Sequence, residues 1–241
     1  MNILDVRNMT KDFGGLRAVD ALSIQIEKGE ILGLIGPNGA GKSTAFNCIA
    51  GVFPPTLGEI YFNGEKINGV KPWTLCKKGL ARTFQIVKPF ASKSVLYNVM
   101  VGAFAKTDST AEAEARALEV LEALNFQGQK EIRAGNLTIA DRKRLEIARA
   151  LATQPQILLL DEVMAGLRPA EVDEMVAVIK ELRDRGITIF LIEHIMRAVM
   201  ALSDRIVVIH FGKKISEGSP EEVASDENVI KAYLGDEYVV S

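Results

Sequence analysis

The chain has 241 residues, 48% hydrophobic and 25% charged, with a formal net charge of -2. That is enough apolar material for a substantial core, with one compact domain over residues 1–241 as the simplest division. The near-neutral balance lacks the clustered Lys and Arg of a nucleic-acid binder, so no nucleic-acid partner is expected and any phosphate is bound locally. Cys48 and Cys76 have no metal-ligand spacing and read as reduced, intracellular thiols. No apolar run of about 18 residues occurs and the N-terminus does not read as a leader, so any membrane association is expected to go through a partner.

In chain order, Ile3–Val6 and Leu22–Glu27 read as strands, and Gly58–Ile67 as a hairpin turning at Asn63-Gly64, together a small antiparallel layer. Apolar runs at Ile31–Ile35, Ile157–Leu160, Ile187–Ile192 and Arg205–Ile209 read as buried strands. Helical spacing covers Ala111–Leu124, Asp141–Ala152 and Glu171–Arg185. From Val95 to Ala134 helix formers dominate and the strand signal vanishes. The expected fold class is α/β, with a mostly parallel core sheet, an antiparallel β layer and a helical subdomain at roughly 90–153.

The most specific local pattern is Gly36-Pro-Asn38-Gly39-Ala40-Gly41-Lys42-Ser43-Thr44, which fits G-x-x-x-x-G-K-[ST] and sits between an apolar strand and a helical run. Its glycines let the backbone curl so that successive N–H groups and the positive end of the next helix face a polyanion. Lys42 is expected to reach the β and γ phosphates of a nucleotide, and the Ser43 hydroxyl to ligate Mg²⁺. A second constellation is Ile157-Leu-Leu-Leu-Asp161-Glu162, a buried strand ending in two acids. Asp161 would be delivered to the metal, while Glu162 polarises an attacking water.

With these motifs in this order, the chain resembles the ABC ATPases along nearly its whole length. The resemblance implies a P-loop fold of ABC type that binds and hydrolyses ATP with Mg²⁺. It identifies Ile157–Glu162 with the Walker B strand and catalytic carboxylate. Gln85, in Arg82-Thr-Phe-Gln85, becomes the glutamine that approaches metal and water beside the membrane partner. His194, in Ile192-Glu-His194, becomes the switch histidine on the γ-phosphate, and Phe13 the aromatic that stacks on adenine. His210 is better read as structural.

The chain departs from the family where the signature LSGGQ is expected. Leu137-Thr-Ile-Ala-Asp141 stands there, with Cβ-bearing residues in place of both glycines and Arg144–Leu151 following as in the family. Arg168 stands where the D-loop often has Asp or Asn, and Val163 replaces a common proline. Phe13–Asp20, Arg82–Gln85, Ala165–Leu167, Ile192–His194 and Ala232–Gly235 are most similar to ATP-binding subunits of branched-chain or hydrophobic amino-acid importers. That branch implies integral membrane subunits, a second ABC ATPase chain as homo- or heterodimer, a solute-binding protein acting indirectly, and a peripheral place on the cytoplasmic face of the inner membrane. The alternatives are a lipid or lipopolysaccharide exporter ATPase, and a regulatory ATP-binding module whose altered signature leaves hydrolysis weak.

Overall fold

A computed structural model describes residues 2–83 and 88–234. The first layer is antiparallel. Strands β1 (Asn2–Phe13) and β2 (Leu16–Glu27) pair along their length, and β4 (Leu57–Phe62) and β5 (Glu65–Lys66) extend the sheet in the order β2-β1-β4-β5. Its period-two pattern is visible in β2, where Leu22, Ile24 and Ile26 are buried while Gln25 and Glu27 are exposed. Asn63 and Gly64 turn the β4–β5 hairpin with φ of 50° and 77°, the left-handed pair such a turn requires.

The second sheet begins with β3 (Ile31–Ile35) and adds β6 (Leu80–Arg82), β7 (Ile157–Asp161), β8 (Thr188–Ile192), β9 (Arg205–His210) and β10 (Lys213–Gly218), in the order β10-β9-β3-β8-β7-β6. All neighbours are parallel except β9 and β10. Strands β3, β7 and β8 are buried at every residue, as expected of parallel strands covered on both faces. The two faces of β3 pack into different cores. Ile31 and Ile35 join the helical side, whereas Leu32 and Leu34 pack with the antiparallel layer.

Helix α1 (Lys42–Ile49) follows β3, and α2 (Pro72–Lys78) precedes β6. A helical block then contains α3 (Val95–Ala103), α4 (Thr110–Ala123) and α5 (Ile139–Leu151), each started by a hydroxyl that accepts from a backbone N–H in the first turn: Ser94, Ser109 and Thr138. Helix α6 (Pro169–Asp184) links β7 to β8, α7 (Met196–Leu202) links β8 to β9, and α8 (Pro220–Ser225) and α9 (Glu227–Leu234) follow β10. The sequence reading stops β1 at Val6, but the strand continues to Phe13 across register shifts, with Asn8 left-handed at φ 47°.

Candidate functional site

The parallel arrangement brings the C-terminal ends of β3, β7 and β8 to one edge of the sheet. The phosphate loop therefore lies beside Asp161, Glu162 and His194, which are far apart in sequence. The loop has two positions that only glycine fits. At Gly36, φ is 152° and an added Cβ would lie 2.0 Å from the Ile209 carbonyl oxygen; at Gly41, φ is 102° and a Cβ would lie 2.3 Å from that of Ala18. Gly41 is the N-cap of α1 and supplies no side chain to its first amides, which leaves N–H donors at the positive end of the helix for an anion. Ser43 is exposed in that first turn, Thr44 is half-buried, and Asn38 and Gly39 form the exposed crest above buried Ala40.

Lys42 is folded into its own loop. Its Nζ donates to the carbonyls of Gly36 at 2.6 Å and Pro37 at 3.0 Å. Burial pushes its pKa down, and the nearby Glu162 and Asp161 carboxylates oppose that shift. Asp161 is 5% exposed, and its Oδ2 is 3.4 Å from Arg82. Its Oδ1 is buried with no hydrogen-bond partner among the described residues. Burial raises its pKa, Arg82 works against the shift and Glu162 adds to it. An orphaned carboxylate oxygen whose carboxylate acts on Lys42, next in sequence to the exposed Ser43 hydroxyl, belongs to a donor set that fits a hard, oxygen-seeking cation such as Mg²⁺. No group of three or more His, Cys, Asp or Glu side chains among the described residues is placed to hold a metal alone, so phosphate oxygens would have to complete the ligand set. Gln85, the third expected ligand, lies outside the described residues.

Glu162 is half-buried, and its Oε1 lies 2.5 Å from His194 Nε2. Its backbone is left-handed at φ 50°, an unfavourable state for a non-glycine residue. That conformation is held from both sides: the Glu162 N–H donates to Ile192 O at 2.9 Å, and its carbonyl accepts from buried Lys143 Nζ at 2.9 Å. Glu193 anchors the neighbouring loop. It is 2% exposed, accepts from Met164 N at 2.8 Å and His194 N at 3.4 Å, and burial raises its pKa. Neither Lys143 nor Glu193 is predicted as a site residue from the sequence, because a buried lysine and a buried glutamate in otherwise ordinary runs leave no local signal.

A cavity of about 390 Å³ lies over the loop from Asn38 to Thr44. Glu162 and His194 line it on the β8 side of β3, and Leu16, Arg17, Ala18, Phe211 and Gly212 line it on the β9 side. Phe13 is not part of this lining. It ends β1, 45% exposed, edge-on to Phe53 at 5.3 Å and with Lys11 Nζ 5.1 Å from its ring. A larger, more open groove of about 1000 Å³ runs between β1, β2 and β10, lined by paired charges such as Arg205 with Glu30 and Glu217, and contains none of the expected site residues. A third hollow of about 320 Å³ lies where the helical block meets the sheet, lined by exposed Trp73, Val52 and Val101 with Glu146 and Arg149.

At the altered signature, Thr138 caps α5 by accepting from Asp141 N at 3.1 Å, and its hydroxyl donates to Asp141 Oδ2 at 2.8 Å. The Asp141 carboxylate thus supports the positive end of its own helix. Ile139 is 61% exposed beside it. Arg168 is drawn into a capping arrangement with Glu171 at the start of α6.

Comparison with known proteins gives a consistent result. A family model described as ABC transporter matches residues 19–165, and one described as Branched-chain amino acid ATP-binding cassette transporter matches residues 213–239. The high-affinity branched-chain amino acid transport ATP-binding protein BraF of Pseudomonas aeruginosa is 41% identical over 97% of this chain and 98% of its own length. The lipopolysaccharide export system ATP-binding protein LptB of Escherichia coli is 34% identical over 99% of both chains. Among solved structures, the ADP conformation of MJ1267, an ATP-binding cassette of an ABC transporter, superposes with a TM-score of 0.89 at 33% identity, covering 98% of this chain and all of the other.

Proposed function

This chain belongs to the ABC transporter family, and on that premise we propose that it binds Mg-ATP over the phosphate loop, hydrolyses it, and so drives import of branched-chain or other hydrophobic amino acids. One observation carries the catalytic reading. The Glu162–His194 pair and the phosphate loop line one cavity, with an unpartnered oxygen of Asp161 buried close by. The higher identity to BraF than to LptB, 41% against 34%, favours amino-acid import over lipopolysaccharide export.

In this reading the amides from Gly39 to Thr44 and Lys42 hold the phosphates, and Lys42 exchanges its two loop carbonyls for phosphate oxygens. Ser43 and Asp161, with Gln85, hold the Mg²⁺, which when bound offsets the charge of the β and γ phosphates. Glu162 accepts the proton of the attacking water as oxygen joins the γ-phosphorus and the bond to the β-phosphate oxygen breaks. His194 orients that carboxylate and reaches the γ-phosphate. Phe13, beyond the present lining, covers the adenine.

The cavity is open to solvent at Asn38, Ser43 and His194, which supports closure by a second ABC ATPase chain. Because Thr138 and Asp141 are tied to each other, a partner with an unaltered signature is the better match, which favours a heterodimer. The chain acts as one domain, and residues 90–153 form its helical subdomain. The apolar hollow around Trp73, which β6 also lines through Leu80 and Ala81, receives the integral membrane subunits. They in turn meet a solute-binding protein, and the chain sits peripherally on the cytoplasmic face of the inner membrane.

The test is ATP hydrolysis by the purified chain over a range of protein concentrations, beside Glu162→Gln. Beside a partner ATPase chain, turnover lowered about 10²- to 10⁴-fold in the variant while ATP still binds is the expected result, whereas turnover by this chain alone that rises faster than linearly would show a competent homodimer and count against the heterodimer. Unchanged turnover in the variant removes Glu162 from its role. Intact ATP binding without turnover, even beside a cognate partner, would favour the regulatory alternative.

A further inference from the structure

The turn from β9 to β10 contains a residue that its backbone disfavours. Phe211 and Gly212 form a two-residue loop with φ of 46° and 79°, closed by the pairing of His210 with Lys213. Such a loop favours Asn, Asp or Gly at its first position, and a bulky side chain there is a conformational outlier. The same chain meets the same demand at β4–β5 with Asn63 and Gly64. At 211 it carries an aromatic ring that is also 80% exposed to water. The ring stacks on His210 at 4.1 Å, a contact within the turn itself that leaves most of the face uncovered. The strain opposes folding and the exposed ring buries too little to offset it, so an outlier of this kind points to a use outside the folded chain.

The position of the turn indicates that use. Gly212 N donates to Ala40 O and Asp20 N donates to Gly212 O, each at 2.9 Å, so the turn is clamped between the phosphate loop and β2. Phe211 is thereby set on the wall of the 390 Å³ cavity, on the opposite side of β3 from Glu162 and His194. A nucleotide whose phosphates lie on the loop, with the last one toward Glu162, must run its ribose and base toward Arg17 and Phe211.

We propose that Phe211 is a nucleoside-binding residue whose ring packs against the ribose and base of bound ATP, a contact additional to Phe13. It rests on the reading of this cavity as the ATP site. An aromatic face offers apolar area to any base, so it adds affinity with little selectivity among bases.

The variant Phe211→Asn installs the residue that the turn prefers, and Phe211→Gly is the second choice with the same readout. Parent and variant chains are titrated calorimetrically with ATP and with inorganic tripolyphosphate, and melted without nucleotide. Loss of the ring is expected to weaken ATP binding about three- to tenfold. Tripolyphosphate binding is expected to stay unchanged, and the melting midpoint to rise by about 2 °C. Unchanged ATP affinity overturns the proposal, and if hydrolysis at low protein concentration falls at the same time, the ring serves contact with a second copy instead. Equal weakening of ATP and tripolyphosphate also overturns it, because the loop itself would then have moved. A parent chain that binds no ATP would overturn the underlying reading of the site, a different failure.

Discussion

Two glycines of the phosphate loop separate a backbone requirement from a merely permissive one. In Gly36→Ala the new Cβ would lie 2.0 Å from the Ile209 carbonyl oxygen, against 3.4 Å or more for ordinary contact. The obstructing atom is backbone in β9, which is paired to both β3 and β10 and cannot rotate away as a side chain would. Either β3 and β9 separate by more than an ångström or the loop leaves its φ of 152°. Overpacking of this kind costs about 1–3 kcal/mol, and the glycine-only backbone region adds roughly 1–2 kcal/mol. The combined loss, roughly 2–5 kcal/mol, is a large share of the ~5–15 kcal/mol that holds a typical domain. Gly39→Ala meets nothing within 4 Å and bears only the penalty of φ 79°, about 1 kcal/mol. Guanidinium titration of the two variants and the parent should therefore place Gly36→Ala well below Gly39→Ala. Equal midpoints for the two would refute the claim that contact with β9 shapes the loop.

Lys143→Met removes the hold on the Glu162 carbonyl, so turnover should fall about tenfold or more while ATP affinity, read by titration, stays the same. Asp161→Asn should melt higher than the parent at neutral pH and lose Mg²⁺-dependent hydrolysis. The sign follows from burial, which raises the Asp161 pKa in the folded state, so ionisation costs stability as pH rises through that pKa. The gap should close in melts at acidic pH, where Asp161 is protonated. Thr138→Ala removes the cap of α5 and should cost about 1 kcal/mol, a fall of roughly 2–4 °C in melting midpoint.

What was legible in the sequence was mostly local. The strand–loop–helix order around Lys42, the Asn63-Gly64 turn and the buried run ending at Asp161 each follow from a few adjacent residues. The far end of β1 was not legible, because between Asn8 and Asp12 only Met9 is apolar, and the alternation is lost just where the register shifts. Strand β6 is only three residues long and β10 reads KKISEG, so neither carries a hydrophobic signature; both lie at sheet edges, which demand less apolar surface. Family resemblance implied Glu162 at the attacking water and His194 at the γ-phosphate, but their direct contact, the left-handed backbone of Glu162 and the reach of Lys143 depend on tertiary contacts. Phe211 was hidden for a similar reason: a phenylalanine before a glycine at the end of an apolar strand does not announce a tight turn.

Strand β3 is a party wall between two cores, with Ile31 and Ile35 on one side and Leu32 and Leu34 on the other. The loop that grips a nucleotide is the direct continuation of that wall. Loosening either half of the molecule therefore loosens the grip, and a ligand seated on the loop braces both halves at once. For this chain, occupancy and folding are two readings of one gauge, and a thermal melt taken across nucleotide concentrations should move as a single transition rather than split into two.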